Sequence, residues 1–252
     1  ITELNNSIKT SSQKIVAETL KKMQDSDNNR PKSMDYFDEL ADLFGRREKE
    51  IIQAKNSGRK VIGYLCLFAP IELIIAADAI PVRVNSGLYD AAKIGDRVIP
   101  VEVCPVIRST VGAKMVNLSP FLENSDAIIS VLTCDGMTKL GEMLSDFKPV
   151  WQMTIPRVKD SDQSLKLWTE EIKSIKQKIE KLTGNKITRK KLRKAIELTQ
   201  KATKAFRRLQ DLRRGNPIIM GRDAMLAIQT YMWDDVERWT KNTEKLCDEL
   251  EA

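Results

Sequence analysis

The chain contains no histidine. Without imidazole there is no Ser-His or Cys-His nucleophilic machinery, no His-ligated zinc and no side chain that titrates unperturbed near neutral pH. Cysteine is scarce as well: four residues, without the close spacing of a secreted disulfide framework, lead us to expect a reducing, cytoplasmic setting. The longest apolar stretches, such as 69–80, carry Glu72 and Asp78 and are too short to span a bilayer, so no membrane partner is expected. No G-x-x-x-x-G-K-[ST] loop and no G-x-G-x-x-G after a strand occurs, so nucleotide binding by this chain has no support. The opening, residues 1–14, is polar and shows no signal peptide; Ile1 is not an initiator methionine, so the native N-terminus is expected upstream.

What is present describes an ordinary globular protein: 252 residues, 42% hydrophobic and 31% charged, with a net charge of +7. The charge is uneven. Residues 181–214 are dense in Lys and Arg, against only Glu197 and Asp211. Such a stretch suits phosphates or an acidic partner, or is a solvated helix face. Its near-lack of aromatics argues against single-stranded nucleic acid, and no nucleic-acid partner is expected.

Three textures follow one another along the chain. Residues 1–57 predict N-terminal helices, a polar one and a second over Met34–Lys55. Residues 58–158 alternate short β-branched runs with helical segments: strands at Lys60–Cys66, Pro81–Asn85, Asp126–Thr133 and Val150–Ile155, and a strand or extended piece at Pro100–Cys104. Helices are predicted at Pro70–Ala79, from Pro105 to about Met115, and at Gly136–Ser145. That alternation is the pattern of an α/β domain with a doubly wound parallel sheet. Residues 159–252 predict a helical region. A stripe from Leu165 through Trp168, Ile172, Ile175 and Ile179 to Leu182 stops at Thr183-Gly184-Asn185. Thr188 caps a second helix striped by Leu192, Ile196, Thr199, Ala202, Phe206 and Leu209, broken at Gly215-Asn216-Pro217. A last helix is predicted over Asp223–Leu250 with Met225, Ile228, Met232, Trp239 and Leu246 on one side. Asp234-Asp235, adjacent on that helix, diverge and read as surface charge.

In parallel sheets, ligands collect outside the carboxyl ends of the strands, which is where Cys66, Cys104 and Cys134 are expected. Soft metal coordination, a redox pair and plain burial all fit three such thiols. Cys104-Pro105 is a step seen beside some iron–sulfur ligands, and Thr133-Cys134-Asp135-Gly136 puts a thiol near the N–H groups that open a helix. Cys247, beside Leu246 on the last helix, reads as structural.

The same residues carry a family resemblance. Ile62-Gly63-Tyr64-Leu65-Cys66, then Pro70-Ile71-Glu72-Leu73, then Ala76-Ala77-Asp78 and Pro81-Val82-Arg83 resemble the opening motif of the 2-hydroxyacyl-CoA dehydratase family. Val103-Cys104-Pro105 with Arg108-Ser109 is similar to its second cysteine motif. Thr133-Cys134-Asp135-Gly136-Met137-Thr138-Lys139 resembles the third, in the form found in the double-cubane-cluster reductase branch. Leu182–Thr188 and Gly221-Arg222-Asp223-Ala224 also fit.

The resemblance implies Rossmann-like α/β architecture and an iron–sulfur cluster, [4Fe–4S] or double-cubane, held by cysteine thiolates. It implies electrons delivered by a separate ATP-dependent activator ATPase, a sister subunit or homodimer, and a small-molecule or acyl-CoA substrate. Carried over by motif, Cys66 and Cys104 are the first ligand candidates and Cys134 the next. Glu72 and Arg83 are candidates for the polar surroundings, with structural capping or pairing equally open to them. The chain departs from the family in two ways. The family continues into a second α/β domain with a further cysteine, so this chain reads as a fragment, a split subunit or an inactive copy. Asp78 stands where many relatives carry glycine.

Overall fold

The computed structural model describes residues 2–26, 29–215 and 218–252, with side chains from residue 5 onward. It divides into two compact units. One comprises Ile51–Leu192 with the chain's first turns up to Ile8, and the other Lys9–Glu50 with Arg193–Ala252.

The first unit is built on four parallel strands, β1 (Val61–Tyr64), β2 (Ile80–Arg83), β3 (Ala127–Leu132) and β4 (Val150–Thr154), in the order β2-β1-β3-β4. β1 and β3 are central and buried on both faces, which is why they read as unbroken apolar runs rather than alternating ones. β2 is an edge strand, where Pro81, opposite Ile62, removes no needed ladder donor. The connections are helical: α4 (Ile71–Ala76) leads from β1 to β2, and α5 (Tyr89–Gly95), α6 (Pro105–Met115) and α7 (Pro120–Asn124) lead from β2 to β3. α8 (Asp135–Ser145) joins β3 to β4, and α9 (Asp162–Thr183) follows. The predicted α/β class and parallel sheet are what is found. α9 starts on Ser161, whose hydroxyl accepts from the Ser164 N–H, and ends at Gly184 with φ +71°, the left-handed stop its sequence announces.

Pro100–Cys104 is not a strand. The Val103 N–H bonds the Pro100 carbonyl (3.0 Å) in a turn, and the segment joins α5 to α6. It links the expected helix α6 to α5, a helix that periodicity did not announce. A Cβ on Gly112 would lie 1.8 Å from the Ala91 carbonyl oxygen, and one on Gly95 would lie 2.1 Å from that of Arg108. α5 and α6 therefore meet backbone to backbone, and the short link between them has no sheet neighbour. At Asp78 the structure explains the departure from glycine: φ is +57°, a left-handed position that glycine occupies without cost and Asp tolerates. Arg59 holds the turn through the Asp78 carbonyl (3.0 Å) and carboxylate (3.2 Å).

The second unit is helical. It takes in most of α1 (Thr2–Asp25), a 3-10 turn (Lys32–Met34), α2 (Asp35–Asp38) and the start of α3 (Arg46–Asn56). It also takes in most of α10 (Arg189–Leu212), with α11 (Gly221–Thr230) and α12 (Val236–Glu251). The single helix predicted over Met34–Lys55 is interrupted, because the Asp42 side chain accepts the Phe44 N–H and its carbonyl the Gly45 N–H. The helix predicted over Asp223–Leu250 is likewise two, since Asp235 caps α12 by accepting the Arg238 N–H at 3.0 Å. Asp234 is not surface charge: it is buried and takes bonds from Tyr36 and Arg238.

The buried side of α10 is Ala195, Thr199, Ala202, Ala205 and Leu209, with Ile196 and Phe206 at its exposed margin. Its packing face is thus turned toward the small side chains. Leu165 and Met225 are also exposed, contrary to their predicted stripes. Of the predicted break at 215–217, Gly215 has φ +89°, and Asn216 and Pro217 lie outside the described residues.

Charge is buried in this unit in pairs. The Arg30 guanidinium donates to Asp38 (2.6 and 2.8 Å) and to Asp223 (2.8 and 3.0 Å). Arg238 grips Glu50 (2.7 and 2.8 Å), and Arg47 donates to the Trp233 carbonyl (2.6 Å). Burial alone would raise the Glu50 carboxyl, but bonds from Arg238, Arg46 and Arg47 outweigh it and bring it down to about 2.

Candidate functional site

In the order β2-β1-β3-β4 the connections leave β1 and β3 in opposite directions, so the crevice at their carboxyl ends is the switch point where such sheets take ligands. Cys66 lies two residues beyond β1, after the Leu65 N–H makes the last bond to the Ile129 carbonyl (3.1 Å). It is half-buried and is followed by exposed Leu67 and Phe68 in the turn to α4. Cys134 lies two residues beyond β3 and is the N-cap of α8, where its Sγ accepts the Met137 N–H at 3.4 Å. These two thiols therefore leave neighbouring strands at the switch point.

Cys104 reaches the region by another route. Expected at a strand end, it is instead the N-cap of α6, because the preceding segment is a turn. Its side chain makes no capping bond, and Pro105 fills the first helical position without needing an N–H partner. The first turns of α6 and α8 touch: a Cβ on Gly136 would lie 3.2 Å from the Ile107 side chain. Cys104 and Cys134 thus open two helices that pack together at their starts, and both are exposed.

Arg83 closes β2, in register with Tyr64, and its Nε donates to Asn85 Oδ1 at 3.0 Å. It therefore shares the carboxyl edge. Glu72 lies in the first turn of α4, the helix that follows Cys66. Both side chains are engaged within the fold. Cys247 belongs elsewhere: on α12 it is fully buried, and burial pushes its thiol up to about 11, which keeps it protonated and inert.

Among the described residues, no three His, Cys, Asp or Glu side chains are grouped so as to hold a metal ion. A cluster of several irons differs from a single ion in taking its thiolates on different irons, and so spreads its ligands. The donor chemistry suits such a cluster. The three cysteines are free of disulfides, the Cys134 sulfur already accepts a backbone N–H, and the Cys104 thiol is uncommitted. Periodicity missed α5, and the second cysteine motif names Arg108 without showing that its Nε donates to the Val103 carbonyl (2.9 Å) just before Cys104. A signal for the close approach of α5 and α6 was Gly95 and Gly112, each in a helix where alanine would be the better helix former. No helix among the described residues is long and apolar enough to cross a membrane.

The chain is similar in sequence to several known proteins. YjiM of Escherichia coli (strain K12), a protein named for an assigned dehydratase-subunit role, is 28% identical over 219 residues, covering 86% of this chain and 55% of that protein. The (R)-phenyllactyl-CoA dehydratase beta subunit of Clostridium sporogenes is 24% identical over 225 residues, with 86% and 58% covered. A benzoyl-CoA reductase subunit of Thauera aromatica is 27% identical over 167 residues, with 64% and 42% covered. The chain spans about half the length of the curated relatives it matches. Residues 66–252, from the first of the three thiols to the last residue, match the family model described as 2-hydroxyglutaryl-CoA dehydratase, D-component, and the chain belongs to that family, the 2-hydroxyacyl-CoA dehydratases.

Proposed function

We propose that this chain is the cluster-binding part of a low-potential reductase or dehydratase subunit, with Cys66, Cys104 and Cys134 as thiolate ligands of a [4Fe–4S] or double-cubane cluster. The observation that carries the reading is the pairing of Cys104 and Cys134 on the touching first turns of α6 and α8, beside the switch point that Cys66 borders. Helix N-termini favour the anionic charge that a thiolate-ligated cluster brings. Once bound, the cluster would supply single electrons at low potential. The chain's own contribution is to place three soft donors, to hold an N–H against the Cys134 sulfur, and to flank the site with Arg83 and Glu72. Leu67 and Phe68 put apolar surface next to Cys66, which would shield a cluster from water.

The proposed partners are an ATP-dependent activator and a sister subunit or second copy, in the cytoplasm. The substrate class is an acyl-CoA or another small molecule. The relatives' names include both coenzyme A ester dehydratases and a benzoyl-CoA reductase. The Cys134-Asp135-Gly136 turn inclines the reading toward the double-cubane reductases.

Anaerobic reconstitution with iron and sulfide tests it. Brown protein containing both, with most of both lost in Cys104→Ala and Cys134→Ala but kept in Cys247→Ala, is the expected result. Colourless protein, or zinc in place of iron, would overturn it. A second reading, a non-catalytic docking subunit, is favoured by the exposed basic residues of α10. It predicts salt-sensitive association with an acidic partner that survives replacement of all three thiols.

A further inference from the structure

Residues 96–104 join α5 to α6 and end in a candidate ligand. A surface link of this kind would leave Cys104 poorly aimed unless something held it. The frame on either side is rigid: Gly95 and Gly112 let α5 and α6 touch through their backbones, and the Ser109 hydroxyl bonds the Leu88 carbonyl at 2.9 Å. Within the link Ile99 is buried and the Arg97, Val98 and Ile99 N–H groups bond back to α5, while one polar side chain joins its two ends. Arg108, one turn into α6, folds back so that Nε donates to the Val103 carbonyl (2.9 Å) while Nη1 pairs with Asp96. A single guanidinium thus fastens the start of the link and the peptide immediately before the thiol. Its side chain is only 15% exposed and that of Asp96 27%, so solvent screens this tie less than an ordinary surface pair.

The Val103 carbonyl belongs to the peptide plane that leads into Cys104, where φ is −44° and ψ 128°. Fixing that plane fixes the direction in which the Cys104 side chain leaves the backbone. We infer that Arg108 is a positioning residue for Cys104: it orients the thiol through the Val103 carbonyl and Asp96 without touching the ligand position itself. The task needs the planar fork of arginine, since an ammonium group at this site would satisfy one partner and leave the other. The inference rests on the cluster reading only for its consequence; the tethering can be measured without iron.

The test compares wild type with Arg108→Gln, Arg108→Lys and Asp96→Asn. In protein without iron, amide hydrogen exchange over residues 97–104 is expected to quicken roughly tenfold or more in Arg108→Gln, from loss of a charge-assisted bond, while residues 134–138 are unchanged. Arg108→Lys is expected to recover part of the protection, and Asp96→Asn to lose a smaller part in the same direction. After anaerobic reconstitution, Arg108→Gln is expected to keep its iron but to show a changed electron paramagnetic resonance spectrum and reduction potential, with Arg108→Lys intermediate. Unaltered exchange over 97–104, or a spectrum and potential identical to wild type, would overturn the inference. If Arg108→Gln fails to fold, Asp96→Asn decides by the same readings. If wild type takes up no iron, the cluster reading falls, and the exchange result alone decides whether Arg108 holds the link.

Discussion

The two units treat buried polar chemistry in opposite ways. Among the described residues of the sheet unit, every buried polar side chain is a hydroxyl: Ser86, Ser109, Thr110, Ser119, Ser125 and Ser130. The helical unit buries Arg47, Asp223 and Asp234 as well, and joins them to Arg30, Tyr36, Glu50 and Arg238. In that unit the strongest donors and acceptors are matched to one another, so they serve architecture: they link residues 30–50 to α11 and α12. In the sheet unit the groups with the most chemistry, the thiols of Cys66, Cys104 and Cys134, lie on connections at the carboxyl edge and are not enclosed. A saturated buried group holds a fold together; the thiols at the carboxyl edge lie outside that role.

Changes at three residues would break or sharpen that contrast. The largest effect is expected from Arg30→Ala, which strips the cation from Asp38 and from Asp223, the latter 1% exposed. Orphaning buried charge costs about 3–5 kcal/mol, so urea unfolding should show a loss of that size. A loss under about 1 kcal/mol would mean the network is ornamental. Next is acid sensitivity. Glu50 has a folded value of about 2 against an ordinary 4.5, so the stability it contributes is complete above about 4.5. That stability is lost as pH falls from about 4.5 toward about 2, and amounts to on the order of 2–3 kcal/mol. Glu50→Gln should flatten this limb of stability against pH, and an unchanged limb would assign it to other carboxyls. The smallest effect belongs to the sheet unit: Asp78→Gly should change stability by about 1 kcal/mol or less, because relief at a left-handed φ offsets the added chain entropy and the exposed Arg59 pair contributes little. Asp78→Val, with a branched side chain in the same conformation, should destabilise by about 1–2 kcal/mol in a thermal melt.

Local pattern was sufficient where an element is decided by its own residues. The central strands showed as apolar runs because parallel strands are covered on both faces, and α6, α8 and α9 showed through Pro105, the turn at Cys134 and Gly184. The same locality made Cys66 and Cys134 legible as residues that follow strands. Pattern failed where a distant partner decided. Pro100–Cys104 has the composition of a strand but no neighbour to pair with, and α5 packs on α6 where glycines in the two helices let their backbones meet. Asp234 looked like surface charge because Tyr36 and Arg238, which satisfy it, cannot be placed beside it from spacing.

The sequence by itself determined the parallel α/β class and the family, and singled out three thiols as candidates, because hydrophobic period, cap chemistry and motif spacing are properties of short stretches. Tertiary structure alone decided that Cys104 opens a helix rather than ends a strand, that this helix starts against the one Cys134 opens, and that Arg108 ties down the link between. Those outcomes depend on which backbones approach and which charges find partners across long chain separations, and the free energy of such contacts is not written in any local window.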